Sequence, residues 1–155
     1  MSRADQFVEM SALLTGFGRF ELLGTGLAGS YLSALDGVLP EGVLDELLDA
    51  FGRLPPGPGR EGPDREGAVG SQILADPKLG PVARNLILMW YSGTWTALPE
   101  TWREAHGASP LDKNHVVSAE AYQAGLQWAA AGTHPAGARQ QGFGAWAAAP
   151  EKAAR

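Results

Sequence analysis

Apolar residues recur at helical spacing through most of this chain, and no stretch alternates apolar and polar positions for the length of a strand. Phe7, Met10, Leu13 and Leu14 mark a first short amphipathic helix, with Gly16 where a C-terminal cap belongs. Leu27, Tyr31 and Leu35 share one face of a second helix, from about Leu27 to Asp36 and stopped by Gly37. The third helix takes Pro40 and Glu41 into its first turn, buries Val43, Leu44, Leu47, Leu48 and Phe51, and stops at Gly52. Val69, Ile73 and Leu74 suggest a short helix ending at Asp76-Pro77, where Asp76 caps the next one. That next helix carries Leu79, Val82, Leu86, Met89 and Trp90. With Ile87 and Leu88 beside them it is apolar nearly all round, so it is predicted to be the central helix, closed by Gly93. A last long helix starts at Ser118, a good N-cap, and runs to Gly132 with Tyr122, Leu126 and Ala129 facing one way.

Between these elements the punctuation is dense. Residues 52–67, GRLPPGPGREGPDREG, lack the apolar content and free N–H groups for a helix or ladder and are predicted as a surface loop. Residues 94–115 read as irregular, and the tail after Gly132 as loop with Phe143 and Trp146 as anchors. The expectation is all-α: a compact single-domain bundle over 1–155, with about five or six helices, long irregular loops and a C-terminal tail.

Composition narrows the function classes. Seventeen acidic residues against twelve basic give a net charge of −5, without the positive footprint that nucleic acid requires. No window reaches the roughly 18 to 20 apolar residues of a membrane span. Zero cysteines exclude a disulfide, a thiolate nucleophile or a Cys-ligated metal on this chain. At the N-terminus, Asp5 and Glu9 interrupt the apolar run and Arg3 has no second arginine beside it, so no export leader is read there.

Candidate chemistry is sparse. Gly24, Gly26 and Gly29 spell G-x-G-x-x-G with Asp45 downstream, but the preceding strand is missing and no βαβ unit follows, so a helix–helix connector is the better reading. His106, His115 and His134 lack the spacing of a helical metal pair, which makes them surface or loop histidines. Ser118 has no nucleophile-elbow frame. Glu100, Glu104 and Asp112 read as a solvated face rather than an acid–base pair.

The aromatic segment says more. Trp90 is explained by core packing, as are Leu86 and Tyr122. Tyr91, Trp95 and Trp102 are large amphipathic rings at a helix end and in the following loop, and they serve either a wholly internal cluster or a partner interface.

The run Ala83 to Gly93, ARNLILMWYSG, resembles the WYTG/WYSG signature of small subunits of bacterial flavin-dependent sugar and alcohol dehydrogenases. That group includes small subunits of membrane-associated sorbitol, fructose and glucose dehydrogenases and is related to gluconate 2-dehydrogenase subunit 3. Phe7 to Gly16, with SALLTG at its end, resembles the group's N-terminal helix, followed by Tyr31 to Leu35. Val117 to Tyr122 and His134 to Ala138 resemble its closing stretch.

The resemblance implies a helical accessory subunit with no catalytic, cofactor or metal site of its own. It implies a large partner subunit of the glucose–methanol–choline type that holds FAD and the catalytic histidine, and it allows a cytochrome subunit as a further partner. Tyr91, Trp95 and Trp102 are then the expected partner contacts. Such small subunits often carry a twin-arginine leader. The sequence as written implies the cytoplasm, and the periplasm if a leader is missing from this chain or supplied by the partner. Two other classes are a stand-alone ligand-binding domain or small enzyme with a pocket at the Trp cluster, and a structural adaptor for a non-flavin partner.

Overall fold

A computed structural model describes residues 1–55 and 63–137. Helix α1 (Arg3–Thr15) starts at Ser2, whose hydroxyl accepts from the Asp5 N–H, and ends at Gly16 with φ +77°. Helix α2 (Arg19–Gly24) was not expected from the sequence pattern. Six residues are too few to show a period, and only Leu22 is buried. Its start is set by the Glu21 carboxylate, which accepts from the Gly18 N–H at 2.7 Å.

Helix α3 (Ala28–Val38) passes through Gly37 and stops one residue beyond it, at Val38. Leu39 precedes Pro40 and is extended (ψ 150°), as the pyrrolidine ring demands of the residue before it. Pro40 therefore ends α3 instead of opening α4 (Val43–Gly52), which begins after Gly42 turns the chain at φ +82°. Helix α4 buries the expected stripe, Val43, Leu44, Leu47, Leu48 and Phe51.

The predicted loop over 52–67 is corrected at its end, where α5 (Pro63–Val69) forms. Proline at the first position of a helix forfeits no bond, so the segment's Pro content did not forbid it there. A π-helical turn, Gly70–Leu74, continues α5. Residues 56–62 of the predicted loop lie outside the described residues, as do Phe143 and Trp146.

Helix α6 (Leu79–Ser92) is capped as expected: Asp76 Oδ1 accepts from the N–H groups of Lys78 and Leu79 at 2.8 and 2.7 Å. It is the central helix, packing on α1, α4 and the π turn, with Val82, Ala83, Leu86 and Met89 fully buried.

The stretch 94–117 is more ordered than its sequence suggested. Strand β1 (Thr94–Trp95) pairs antiparallel with β2 (His115–Val116), Thr94 opposite Val116 and Trp95 opposite His115. Helix α7 (Glu100–His106) lies between them.

The long final helix is corrected to two short ones, α8 (Ala119–Gln123) and α9 (Leu126–Ala130). Ser118 caps α8 as predicted, its hydroxyl accepting from the Ala121 N–H at 3.0 Å. The described residues are thus mostly helical, about 63%, with about 3% strand. Among them no helix is long and apolar enough to cross a membrane.

Candidate functional site

Three sequence-distant segments meet at the C-terminal end of α6. The Tyr91 hydroxyl donates to the carbonyl of Thr15, at the end of α1, at 2.9 Å. Phe17 packs edge-on against the Tyr91 ring, centroids 5.8 Å apart. Gly93, at φ +72°, sits so close to α8 that a Cβ there would lie 2.5 Å from the Ala121 carbonyl oxygen. Gly125 approaches from the same side, where a Cβ would lie 2.6 Å from the Tyr91 carbonyl oxygen. The Val117 N–H then donates to Gly93 O at 2.9 Å. Backbone-to-backbone contact of this kind admits only glycine.

Trp90 is core, as expected. Its ring lies between Phe7 and Tyr31, with centroids 6.3 and 4.7 Å away, and Leu86 beside it is fully buried. Tyr122 is corrected: it is half-buried at the edge of the molecule, edge-on to Trp128, and donates to the Ala136 carbonyl at 3.3 Å. Ala121 takes the core position instead.

The partner contacts expected at Trp95 and Trp102 are also corrected. Trp95 is 1% exposed and Trp102 4%, which leaves neither indole any area for a partner. Trp95 Nε1 donates to Asp112 Oδ1 at 2.8 Å, and Trp102 Nε1 to the Lys78 carbonyl at 2.7 Å. Tyr91 is half-buried and its hydroxyl is committed to Thr15.

An irregular segment can turn its indoles inward here because side chains satisfy its backbone. Leu98 N donates to both Asp112 oxygens (3.1 and 3.2 Å), Ala97 N to Asn114 Oδ1 (2.7 Å), and Asn85 Nδ2 to Thr96 O (2.5 Å). Asp112, read as part of a solvated face, is therefore a buried structural acceptor, 2% exposed. Glu100 and Glu104 are exposed, as read.

His106 packs against Trp102 with its ring tilted by 56° (centroids 5.1 Å apart), while His115 and His134 are exposed. Among the described residues, no three His, Cys, Asp or Glu side chains are grouped to hold a metal ion. The G-x-G-x-x-G glycines fit a connector: Gly24 ends α2, Gly26 turns at φ +71°, and Gly29 lies in the first turn of α3. A helix precedes them where a dinucleotide site needs a strand. Asp45 is engaged with Arg3 at 2.8 Å.

No protein-family model, no curated protein and no solved structure matches this chain.

Next to the junction, a cleft of about 350 Å³ opens between α2 and α9, and no feature of the sequence pattern pointed to it. Phe17 and Trp128 are its aromatic walls, Glu21 and His134 its titratable ones. Trp128 is fixed by its Nε1, which donates to the Tyr122 carbonyl at 2.8 Å. Gly24 and Thr25 line the α2 side, so part of the glycine motif borders a cleft rather than a phosphate cradle.

Proposed function

We propose that this chain is a non-catalytic accessory subunit that binds, stabilises and matures the large subunit of an FAD-dependent sugar or alcohol dehydrogenase. The observation that carries this reading is the junction at the end of α6. The three blocks resembling the small-subunit group, ending near Thr15, at Gly93 and at Tyr122, pack on one another through Tyr91 and two glycines. Residues that resemble a family signature thus act as the joints of the fold, as expected of a scaffold whose task is to present a surface.

In this reading FAD and the catalytic histidine belong to the large subunit, and the compartment is that of the pair. An obligate pair of this kind buries on the order of 2,000 Å² or more in total. With Trp95 and Trp102 inside, that area falls to side chains such as Phe20, Leu23, Leu88, Leu111 and Val116, all large, apolar and exposed. Co-expression with a flavoprotein encoded beside this chain tests the reading. The two are expected to co-purify, and the flavoprotein to lose solubility or activity when this chain is omitted. A flavoprotein fully soluble and active alone, with this chain a separate stable monomer, overturns it.

A further inference from the structure

The cleft between α2 and α9 has a chemistry of its own. Its two aromatic walls, Phe17 and Trp128, stand beside the Glu21 carboxylate, and among the described residues that line it His134 is the one basic side chain, with no lysine or arginine. Only one carboxylate oxygen of Glu21 is engaged within the described residues, by the Gly18 N–H. The neighbouring surface adds to the negative field. Arg19 bonds both Asp5 and Glu9, so one positive charge faces two negative ones before Glu21 is counted. An aromatic face beside a carboxylate favours a cation on an aliphatic stem, because the ring quadrupole and the charge both attract it.

The exposed face of α2 next to the cleft bears on what carries that cation. On α2 the face lining the cleft holds Glu21 and Gly24, and Phe20 and Leu23 follow on the adjoining face, 86% and 44% exposed. A free metabolite amine in the cleft would leave both of these apolar residues on the adjoining face in water. A polypeptide bearing a basic side chain would cover them. The larger hollow of about 510 Å³ between α3 and the loop before β2 has no carboxylate among its described lining residues and carries Lys113 in its wall.

We infer that the α2–α9 cleft is a docking socket for an arginine or lysine side chain of the partner protein, flanked by apolar partner residues that cover Phe20 and Leu23. The inference rests on the accessory-subunit reading in taking the cation from a protein partner.

The test has two measurements. In the first, Nα-acetyl-arginine amide and Nα-acetyl-norleucine amide are titrated into the purified full chain, read at the Trp128 indole N–H resonance, which Trp128→Phe assigns. A saturable shift with the arginine amide, none with the norleucine amide, and binding about fivefold weaker in Glu21→Gln support the socket. Equal shifts with both amides, no shift with either, or no effect of Glu21→Gln overturn it. In the second, Glu21→Gln and Phe20→Ala are each expected to weaken capture of the co-expressed flavoprotein at least fivefold, with Glu104→Gln as the neutral control. Undiminished capture by both variants overturns the socket and spares the accessory reading. Wild-type chain that captures no flavoprotein, yet binds the arginine amide, overturns the accessory reading and supports the cation site.

Discussion

At Asp112 a single carboxylate serves the Trp95 indole and the Leu98 backbone, both buried, so its loss strands two donors at once. Each unsatisfied buried donor costs about 1–3 kcal/mol. Asp112→Ala is expected to lower unfolding stability by about 3 kcal/mol or more, and urea denaturation measures it. Trp95→Ala is expected to cost about 3–5 kcal/mol as a core truncation, with partner affinity per folded molecule unchanged. Tyr31 presents the opposite case. Its hydroxyl is buried with no hydrogen-bond partner among the described residues, and burial alone pushes its pKa well above the ordinary tyrosine value. Tyr31→Phe removes that unpaired group and is expected to raise stability by about 1 kcal/mol. The same burial makes the wild type sensitive to alkali. Stability is fully present below the unfolded tyrosine pKa of about 10 and is lost as pH rises from there towards the raised folded value. Tyr31→Phe is expected to flatten that decline, read as melting temperature against pH from 9 to 11.

Among the elements, the two glycines at the end of α6 carry the most information per atom. Gly125 has an ordinary negative φ of −54° with an extended ψ of 132°, so Gly125→Ala introduces no left-handed strain and acts only through the clash with the Tyr91 carbonyl. Gly93→Ala adds a positive-φ penalty to its clash with Ala121. Both are expected to destabilise by about 2 kcal/mol or more, Gly93→Ala by the larger amount, with far-UV circular dichroism reporting the loss.

These glycines also mark where the sequence stopped being legible. The 3.6-residue period located α1, α3, α4 and α6, because each is long enough to repeat its stripe, and it gave the buried faces of α3, α4 and α6. On α1, Leu13 and Leu14 are only half-buried, whereas Val8, Ser11 and Thr15 are buried with Phe7 and Met10. Local cap chemistry placed Ser118, Asp76 and Gly93 correctly. What eluded the pattern depends on contacts between distant residues. The break at Gly125 is imposed by α6, the inward turn of Trp95 and Trp102 by Asp112, Asn85 and Lys78, and the cleft by the meeting of α2 and α9. Helices of five to seven residues, such as α2 and α7, are too short for a period to emerge.

Over the whole molecule, the N-terminal helix is tied to the rest by charge as well as by packing. Arg3 on α1 bonds Asp36 on α3 at 2.7 Å and Asp45 on α4 at 2.8 Å. The Arg3 bond holds the Asp36 carboxyl below its usual range, so its contribution is present above the ordinary aspartate pKa and is lost as pH falls through the lowered folded value. These groups are largely exposed and the gain is small and screened by salt. Wild type is expected to lose slightly more melting temperature than Asp36→Asn between pH 5 and 3, a difference that vanishes in high salt.

The bond between Tyr91 and Thr15 spans 76 residues of chain, and that span bears on how the protein is made. A ribosome adds about 5–20 residues per second, so α1 emerges on the order of ten seconds before α6 can receive it. Through that interval Phe7, fully buried in the finished molecule, lacks the Trp90 ring of α6 that covers it. Stalled chains ending shortly after α4 are therefore expected to be cut by protease within α1, and chains that expose residues through α9 to resist. The joint between α1 and α6 thus forms only once the chain through Tyr91 has been made, and until then α1 depends on the earlier helices, or on a chaperone, for cover.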